Sequence, residues 1–132
     1  MTDKKKILVI DDDKNVGAIL KIKLEKLWSY HVIFADDGNK GIEIAKKEQP
    51  DLIVLDIQMP GLDGADVRIE LESESKTRSI PVLFLTSMMT AEESRASRGL
   101  VGGRPMISKK LSIGEIVSHI ETFLATAPQE TK

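Results

Sequence analysis

The sequence predicts an α/β protein built on a doubly wound parallel sheet with helices on both faces. Two observations lead to this prediction. Short, β-branched-rich apolar runs such as residues 7–10 and 52–55 are followed at once by turn-forming residues, which is typical of buried parallel strands. These runs alternate five times with stretches of helical periodicity. Such alternation indicates crossover connections between parallel strands.

The first half of the chain is predicted to contain three strands and two helices. The strands cover residues 6–10, 30–35 and 51–55, and the helices cover residues 15–28 and 39–48. Apolar residues at helical spacing form the predicted core face of the first helix: Val16, Ile19, Leu20, Leu24 and Leu27. Ile42 and Ala45 are the core positions of the second helix, and Trp28 is assigned to the core or to an interface.

A turn and an ambiguous segment follow the third strand. Pro-Gly and Asp-Gly pairs within residues 59–64 predict the turn. Over residues 65–72, Val67, Ile69 and Leu71 alternate as they would in a strand, and only the position in the alternating pattern favours a helix. The fourth strand is predicted over residues 81–85.

Capping patterns mark the last two helices. Thr90 and Glu93 have capping-box spacing, but few large apolar residues follow them, so we expect a marginal and mobile fourth helix. The fifth strand is predicted over residues 106–108, and Pro105 beside it favours a sheet edge. Ser112 and Glu115 form the second capping pattern, at the start of the fifth helix.

The composition is that of a single globular domain. Hydrophobic residues make up 41% of the 132 residues, the net charge is −2, and there is no cysteine. These values give no indication of nucleic-acid or membrane binding and exclude disulfides and thiolate chemistry. No signal peptide is visible, so the expected location is the cytoplasm. We assign residues 1–126 to the domain and residues 127–132 to a polar tail or the start of a linker.

Acidic residues close two of the predicted strands. Asp11, Asp12 and Asp13 follow the first strand, and Asp56 follows the third. Carboxylates at the carboxyl ends of neighbouring parallel strands converge on one site. Two like unit charges about 4 Å apart near a protein surface repel each other by about 4 kcal/mol. Because a cation would offset this repulsion, the cluster predicts a bound metal ion. Thr86 and Lys109 lie at carboxyl ends of predicted strands as well.

These motifs, taken together and in this order, resemble the receiver domain of two-component response regulators. The resemblance covers about residues 5–125, and it depends on the segments ILVIDDD, DLIVLDIQMPGLDG, PVLFLTS and ISK. It implies a flavodoxin-like fold with a five-stranded parallel sheet in the order 2-1-3-4-5.

The resemblance also implies a role for each polar residue. Asp56 matches the phosphoacceptor. Asp11, Asp12, Asp56 itself and the backbone carbonyl of Gln58 match the Mg²⁺ ligands, in keeping with the preference of Mg²⁺ for oxygen. Thr86 and Lys109 match the hydroxyl and the ammonium group that contact the phosphoryl group. Asp13 has no such match, and we interpret it as a structural residue at the start of the first helix.

A receiver domain acts as a signalling switch rather than as an enzyme with turnover. The implied donor is a sensor histidine kinase or a phosphotransfer protein. The implied output is a separate partner or a fused domain, contacted through the fourth helix, fifth strand and fifth helix. The domain itself is expected to bind neither nucleic acid nor membrane, and to be a monomer or weak dimer. The chain could be a stand-alone receiver or the first domain of a longer regulator, and the sequence leaves both possibilities open.

Three features depart from the family pattern. Lys110 stands where the family usually has a proline, often after a cis peptide bond; a non-proline cis bond costs about 2.5–4 kcal/mol, so we expect a trans bond or strain. Met106 replaces an aromatic residue. The segment from Arg98 to Arg104, rich in glycine, replaces a short loop with acidic residues. All three lie in the region of the expected output surface.

Two other functions compete with the receiver interpretation. A Mg²⁺-dependent phosphatase with an aspartate nucleophile needs an acid two residues after the nucleophile, and Gln58 occupies that position. A flavin or nucleotide binder needs a glycine-rich or hydroxyl-rich loop after the first strand, where this chain has three carboxylates.

Overall fold

The computed structural model describes residues 4–28 and 30–126, except for the side chains of residues 27, 28 and 126. This part contains six strands and five helices, which alternate except that the last two strands follow each other directly. The strands are β1 (Lys6–Ile10), β2 (His31–Ala35), β3 (Leu52–Asp56), β4 (Val82–Thr86), β5 (Leu100–Val101) and β6 (Arg104–Ser108). The helices are α1 (Lys14–Trp28), α2 (Gly38–Glu48), α3 (Gly64–Ser73), α4 (Ala91–Ser97) and α5 (Ile113–Thr126). The expectations for Leu27, Trp28 and the tail from Ala127 fall outside the described residues.

The sheet has the strand order β2-β1-β3-β4-β6-β5. The four interfaces from β2 to β6 are parallel, which confirms the predicted order of the five parallel strands. The predicted number of strands is wrong, because β5 adds an antiparallel sixth strand. Gly102 and Gly103 connect β5 to β6 with φ angles of 58° and 80°. Positive φ at both central residues is the geometry of a tight hairpin turn, which glycine adopts without steric cost.

The hairpin also corrects the predicted sheet edge. Pro105 lies in β6, and β5 rather than β6 forms the end of the sheet, with Leu100 opposite Pro105. Met106 donates its backbone N–H to the carbonyl of Gly99, so the neighbouring position, Pro105, faces away from β5 and its missing N–H costs the hairpin no hydrogen bond. The pairing of β6 with β4 begins only at Met106, opposite Phe84.

The core lies on both faces of the sheet. Ile7 and Val9 of β1 pack in one cluster with residues of α1 and α5, and Leu8 and Ile10 pack in the other with residues of α2 and α3. All of β3 is buried, as its uninterrupted apolar run predicts. Ile19 of α1, assigned to the core from its spacing, is instead 48% exposed. It lies at the margin of the apolar stripe, so the prediction for Ile19 is wrong.

Local patterns decide the remaining elements. α3 is a helix: Val67 and Leu71, four residues apart, are buried, and Ile69 is 63% exposed. The capping box of Thr90 and Glu93 is present at the start of α4, which has only seven residues. Ser112 and Glu115 exchange the corresponding hydrogen bonds before α5. None of the described helices has the length and apolar character required to cross a membrane.

Candidate functional site

The polar residues predicted from the strand ends meet at the carboxyl edge of the sheet. Asp11 directly follows β1 and donates its backbone N–H to Ala35, Asp56 ends β3, and Thr86 ends β4. Lys109 follows β6, and its backbone N–H donates to the carbonyl of Thr86 over 2.8 Å. The parallel register therefore brings side chains from four strands to one site.

Three carboxylates form the centre of the site. Asp11, Asp12 and Asp56 each offer an oxygen within 4.8 Å of the others. Asp11 is 0% and Asp56 3% exposed, whereas Asp12 is open to solvent. The ammonium group of Lys109 lies 2.9 Å from Oδ2 of Asp11 and 3.4 Å from Oδ2 of Asp56. A single cation thus contacts the two buried carboxylates directly.

Backbone N–H groups fix the orientation of these carboxylates. Oδ1 of Asp11 accepts the N–H of Asp13 at 2.8 Å, and Oδ1 of Asp56 accepts the N–H of Gln58 at 3.3 Å. In both residues, Oδ2 is the oxygen directed at Lys109. Asp13 accepts the N–H of Asn15 at the start of α1, which confirms its structural role.

The charges of the site change one another's proton affinity. Burial raises the pKa of the Asp56 carboxyl to about 6, and the charge of Asp11 acts in the same direction, while Lys109 opposes both. Partial burial lowers the pKa of Lys109, but its hydrogen bond and attraction to Asp11 prevail, and the net pKa is raised. At neutral pH the site therefore contains an ionised Asp56 and a positive Lys109.

The donor set fits a hard divalent cation. Oxygen is the only kind of ligand atom in the carboxylate cluster, and Mg²⁺ takes oxygen ligands and retains several waters. Oδ2 of Asp11 is buried, and its close cationic partner among the described residues is the ammonium group of Lys109 at 2.9 Å. Three carboxylates thus face one ammonium group, and this excess of acidic groups favours a bound cation.

Thr86 borders a cavity beside the carboxylates. Its Oγ1 accepts the backbone N–H of Met88 at 3.0 Å. The cavity has a volume of about 510 Å³ and is lined by Ile57, Gln58, Thr86, Met88, Met89, Glu93 and Met106. The side chain of Gln58 is exposed and accepts a hydrogen bond from Ser87. Met106, which the resemblance aligns with an aromatic position, lines the wall of this cavity.

Two buried serines next to the site were not identified from the sequence. Ser94 of α4 and Ser108 of β6 are both 0% exposed and hydrogen-bonded to each other. Serine is common on surfaces and in turns, so one sequence carries no signal that separates these two from the others.

Every described peptide bond is trans. The bond between Lys109 and Lys110 is therefore trans, which is one of the two outcomes expected where the family has a proline.

A comparison with protein families decides the identity of this arrangement. Residues 7–121 match the profile of the response regulator receiver domain. The chain belongs to this family. The receiver domain is a signalling module of two-component systems, and its match includes every residue of the site described above.

Curated relatives and solved structures agree with this assignment. The receiver is 39% identical over 122 residues to a probable transcriptional regulator, ycf27, of Porphyridium aerugineum, covering 92% of this chain and 48% of the relative. It is 36% identical over 129 residues to the ycf27 regulator of Porphyra purpurea, covering 97% and 51%. The chain thus spans about half the length of these relatives. The Francisella response regulator 1452 receiver domain aligns with a TM-score of 0.75 at 25% identity, covering 95% of this chain and 100% of that one.

Proposed function

We propose that this receiver takes a phosphoryl group from a phosphohistidine onto Asp56 in a Mg²⁺-dependent reaction. The observation that carries the proposal is the placement of a buried Asp56 carboxylate between Asp11, Asp12 and Lys109. Asp56 has a pKa of about 6, so it is ionised, and able to act as a nucleophile, at neutral pH.

The proposed step is an in-line transfer. An oxygen of Asp56 forms a bond to phosphorus while the bond from phosphorus to the histidine nitrogen of the donor breaks, and the nitrogen keeps the electron pair. Asp11, Asp12, Asp56 and the backbone carbonyl of Gln58 would hold Mg²⁺, which would supply positive charge to the phosphoryl oxygens when bound. The ammonium group of Lys109, already beside Asp56, is positioned to contact a phosphoryl oxygen. The hydroxyl group of Thr86 would donate a hydrogen bond to another phosphoryl oxygen.

The proposed partners follow from this chemistry and from the relatives. The donor is a sensor histidine kinase or a phosphotransfer protein. The matching relatives are named probable transcriptional regulators and are about twice as long as this chain, which supports an output through a fused domain; a separate partner protein would use the same surface of α4, β6 and α5. We assign the domain to residues 1–126, place its action in the cytoplasm, and regard it as a switch without multiple turnover.

A phosphatase function receives no support from the site. Such an enzyme needs a proton donor for its leaving group, and the position two residues after Asp56 holds the carboxamide of Gln58, which has no dissociable acid proton. This side chain also accepts a hydrogen bond from the Ser87 hydroxyl.

Acetyl phosphate provides a direct test of the proposal. In the presence of Mg²⁺ it should add one phosphoryl group per chain, as read by intact-mass spectrometry, and Asp56→Asn should prevent the addition. Asp63→Asn is the matched control, because Asp63 caps α3 and asparagine also caps helices well. Labelling that persists in Asp56→Asn, or that proceeds unchanged in EDTA, would contradict the proposed reaction.

A further inference from the structure

Three hydrogen bonds connect the buried Ser108 to separate parts of the structure. It is 0% exposed and directly precedes Lys109. Its hydroxyl donates to the carbonyl of Met89 over 2.6 Å and accepts the N–H of Lys110 over 2.9 Å. Its own backbone N–H donates to Oγ of Ser94 over 3.0 Å. One residue therefore connects the lysine loop, the β4–α4 connection and helix α4.

The short hairpin explains why Ser94 is required. The pairing of β5 with β6 covers only Arg104 and Pro105, so β5 does not reach the N–H of Ser108. A buried N–H without a partner is costly. Ser94, fully buried on α4, supplies the acceptor that a longer edge strand would have provided.

The bond from Lys110 depends on a departure from the family pattern. Proline has no backbone N–H, so a proline at position 110 could not donate to Ser108. In this chain Lys110 does donate, and the turn around Lys109 is closed by that bond. On the other side of the turn, the N–H of Lys109 itself donates to Thr86.

We propose that Ser108 is a positioning residue for Lys109. Its hydroxyl holds the turn from which the Lys109 ammonium reaches Asp11 and Asp56, and it does so by hydrogen bonds where the family uses the ring of a proline. The same hydroxyl donates a hydrogen bond to the carbonyl of Met89, three residues after Thr86, and so links this turn to the β4–α4 connection. The role in phosphorylation depends on the function proposed above, whereas the hydrogen bonds do not.

The test compares phosphorylation rates with acetyl phosphate at saturating Mg²⁺. Ser108→Ala should slow the reaction by about tenfold, because a small displacement of a charge-stabilising group is costly. Ser108→Thr keeps the hydroxyl, so its rate should lie within about twofold of the wild-type rate. Lys110→Ala keeps the backbone N–H and is the matched control, and its rate should also lie within about twofold of the wild-type rate.

A double-mutant cycle shows whether Ser108 acts through Lys109. If it does, Ser108→Ala should slow a Lys109→Ala background by less than about twofold, although it slows the wild-type background by about tenfold. Equal losses in both backgrounds would overturn the proposal, as would a normal rate in Ser108→Ala or failure of threonine to rescue. Should Ser108→Ala not fold, Ser108→Cys keeps a side chain of the same shape, slightly larger, whose thiol is a much weaker donor and acceptor, and a similar loss is expected.

Amide hydrogen exchange separates the failure of this proposal from the failure of the proposed function. The Lys110 N–H should exchange slowly in the unphosphorylated wild type and in Ser108→Thr, and faster in Ser108→Ala and Ser108→Cys. This result is independent of phosphorylation. Fast exchange in the wild type would overturn the role of Ser108 even if labelling succeeds. If the wild type cannot be labelled but exchange follows the prediction, the proposed reaction is wrong while the positioning contact stands.

Discussion

Folding favours the protonated form of the Asp56 carboxyl group, whereas the proposed reaction needs its ionised form. Folding removes its carboxylate from water and places it beside the buried Asp11, with Lys109 as the nearest compensating charge. The proposed phosphoryl transfer requires the same carboxylate in its ionised form. The site therefore stores unfavourable electrostatic energy that a bound cation can relieve.

This tension predicts that Asp56→Asn stabilises the metal-free protein. The folded-state pKa of Asp56 is about 6, above the value of about 4 in an unfolded chain. Below pH 4 the group is protonated in both states and contributes no penalty; the penalty develops as pH rises through 6 and is then complete. In EDTA, urea unfolding should show Asp56→Asn more stable than wild type by about 2 kcal/mol at pH 7.5, with a much smaller difference near pH 4.

The pH dependence distinguishes this mechanism from a general effect of asparagine. Asp63→Asn, the same change at a helix cap, should give a small difference without the rise between pH 4 and pH 7. An Asp56→Asn protein that is less stable than wild type at pH 7.5 would show that the carboxylate stabilises the fold and would refute the account of its pKa.

The site residues were largely predictable because each ends a recognisable apolar run. Asp11, Asp56 and Thr86 follow runs whose pattern defines the strand, and parallel strands place their carboxyl ends together. The pair of Ser94 and Ser108 was not predictable. Their contact depends on how far β5 extends along β6, which is a tertiary property that no local pattern encodes.

At the scale of elements, the connection from β3 to α3 holds Asp56 in place through a close backbone approach. Gly64 donates its N–H to the carbonyl of Ile57 over 2.8 Å. A Cβ at Gly64 would lie 2.4 Å from the carbonyl oxygen of Asp56 and 2.7 Å from Cα of Ile57. Both contacts are with backbone, which cannot move aside as a flexible side chain can. Only glycine fits here without displacing the backbone of Asp56 and Ile57.

Gly64→Ala should therefore weaken both stability and phosphorylation. Overpacking typically costs 1–3 kcal/mol, so we expect urea unfolding to show a loss of about 2 kcal/mol, with a slower reaction with acetyl phosphate. Gly114→Ala is the matched control, because at Gly114 the nearest atom to an added Cβ is 4.0 Å away, and alanine in a helix should be neutral or stabilising by up to about 0.5 kcal/mol. Full stability and a full rate in Gly64→Ala would show that the connection tolerates the displacement.

Elements with strong local signals were predicted well, and the hairpin was not. The two capping boxes define where α4 and α5 begin. By contrast, Gly102 and Gly103 are as compatible with an open loop as with a two-residue turn, and Leu100 and Val101 are too few to register as a strand. The sixth strand follows from positive φ angles at these glycines, which the sequence permits but does not require.

At the scale of the whole molecule, Mg²⁺ should act as a stabilising ligand. A ligand that binds only the folded state at 100 times its dissociation constant stabilises by about 2.7 kcal/mol. Thermal unfolding should therefore shift to higher temperature when Mg²⁺ replaces EDTA, and the increment should be reduced in Asp11→Asn and in Asp12→Asn. The increment, rather than the absolute midpoint, is compared, since each substitution changes stability by itself. An increment of the same size in both variants would show that Mg²⁺ binds elsewhere.

The overall architecture was the most predictable level. Alternation of strands and helices restricts the chain to a parallel sheet with two covered faces, and the core indeed divides between α1 with α5 and α2 with α3. What the pattern could not supply is the exact margin of each apolar face. Ile19 has core spacing on α1 and nevertheless remains 48% exposed, because the width of a buried stripe depends on the neighbouring element.

The identity of the modified residue tests the central claim most directly. After reaction with acetyl phosphate and Mg²⁺, borohydride reduction converts a phosphorylated aspartate to homoserine, which fragment ions can locate within the tryptic peptide of residues 48–68. This peptide contains Asp51, Asp56, Asp63 and Asp66, so it includes its own internal controls. The account predicts homoserine at position 56 alone. Homoserine at any other position of this peptide, or at positions 11 to 13 of the peptide covering residues 7–14, would contradict it.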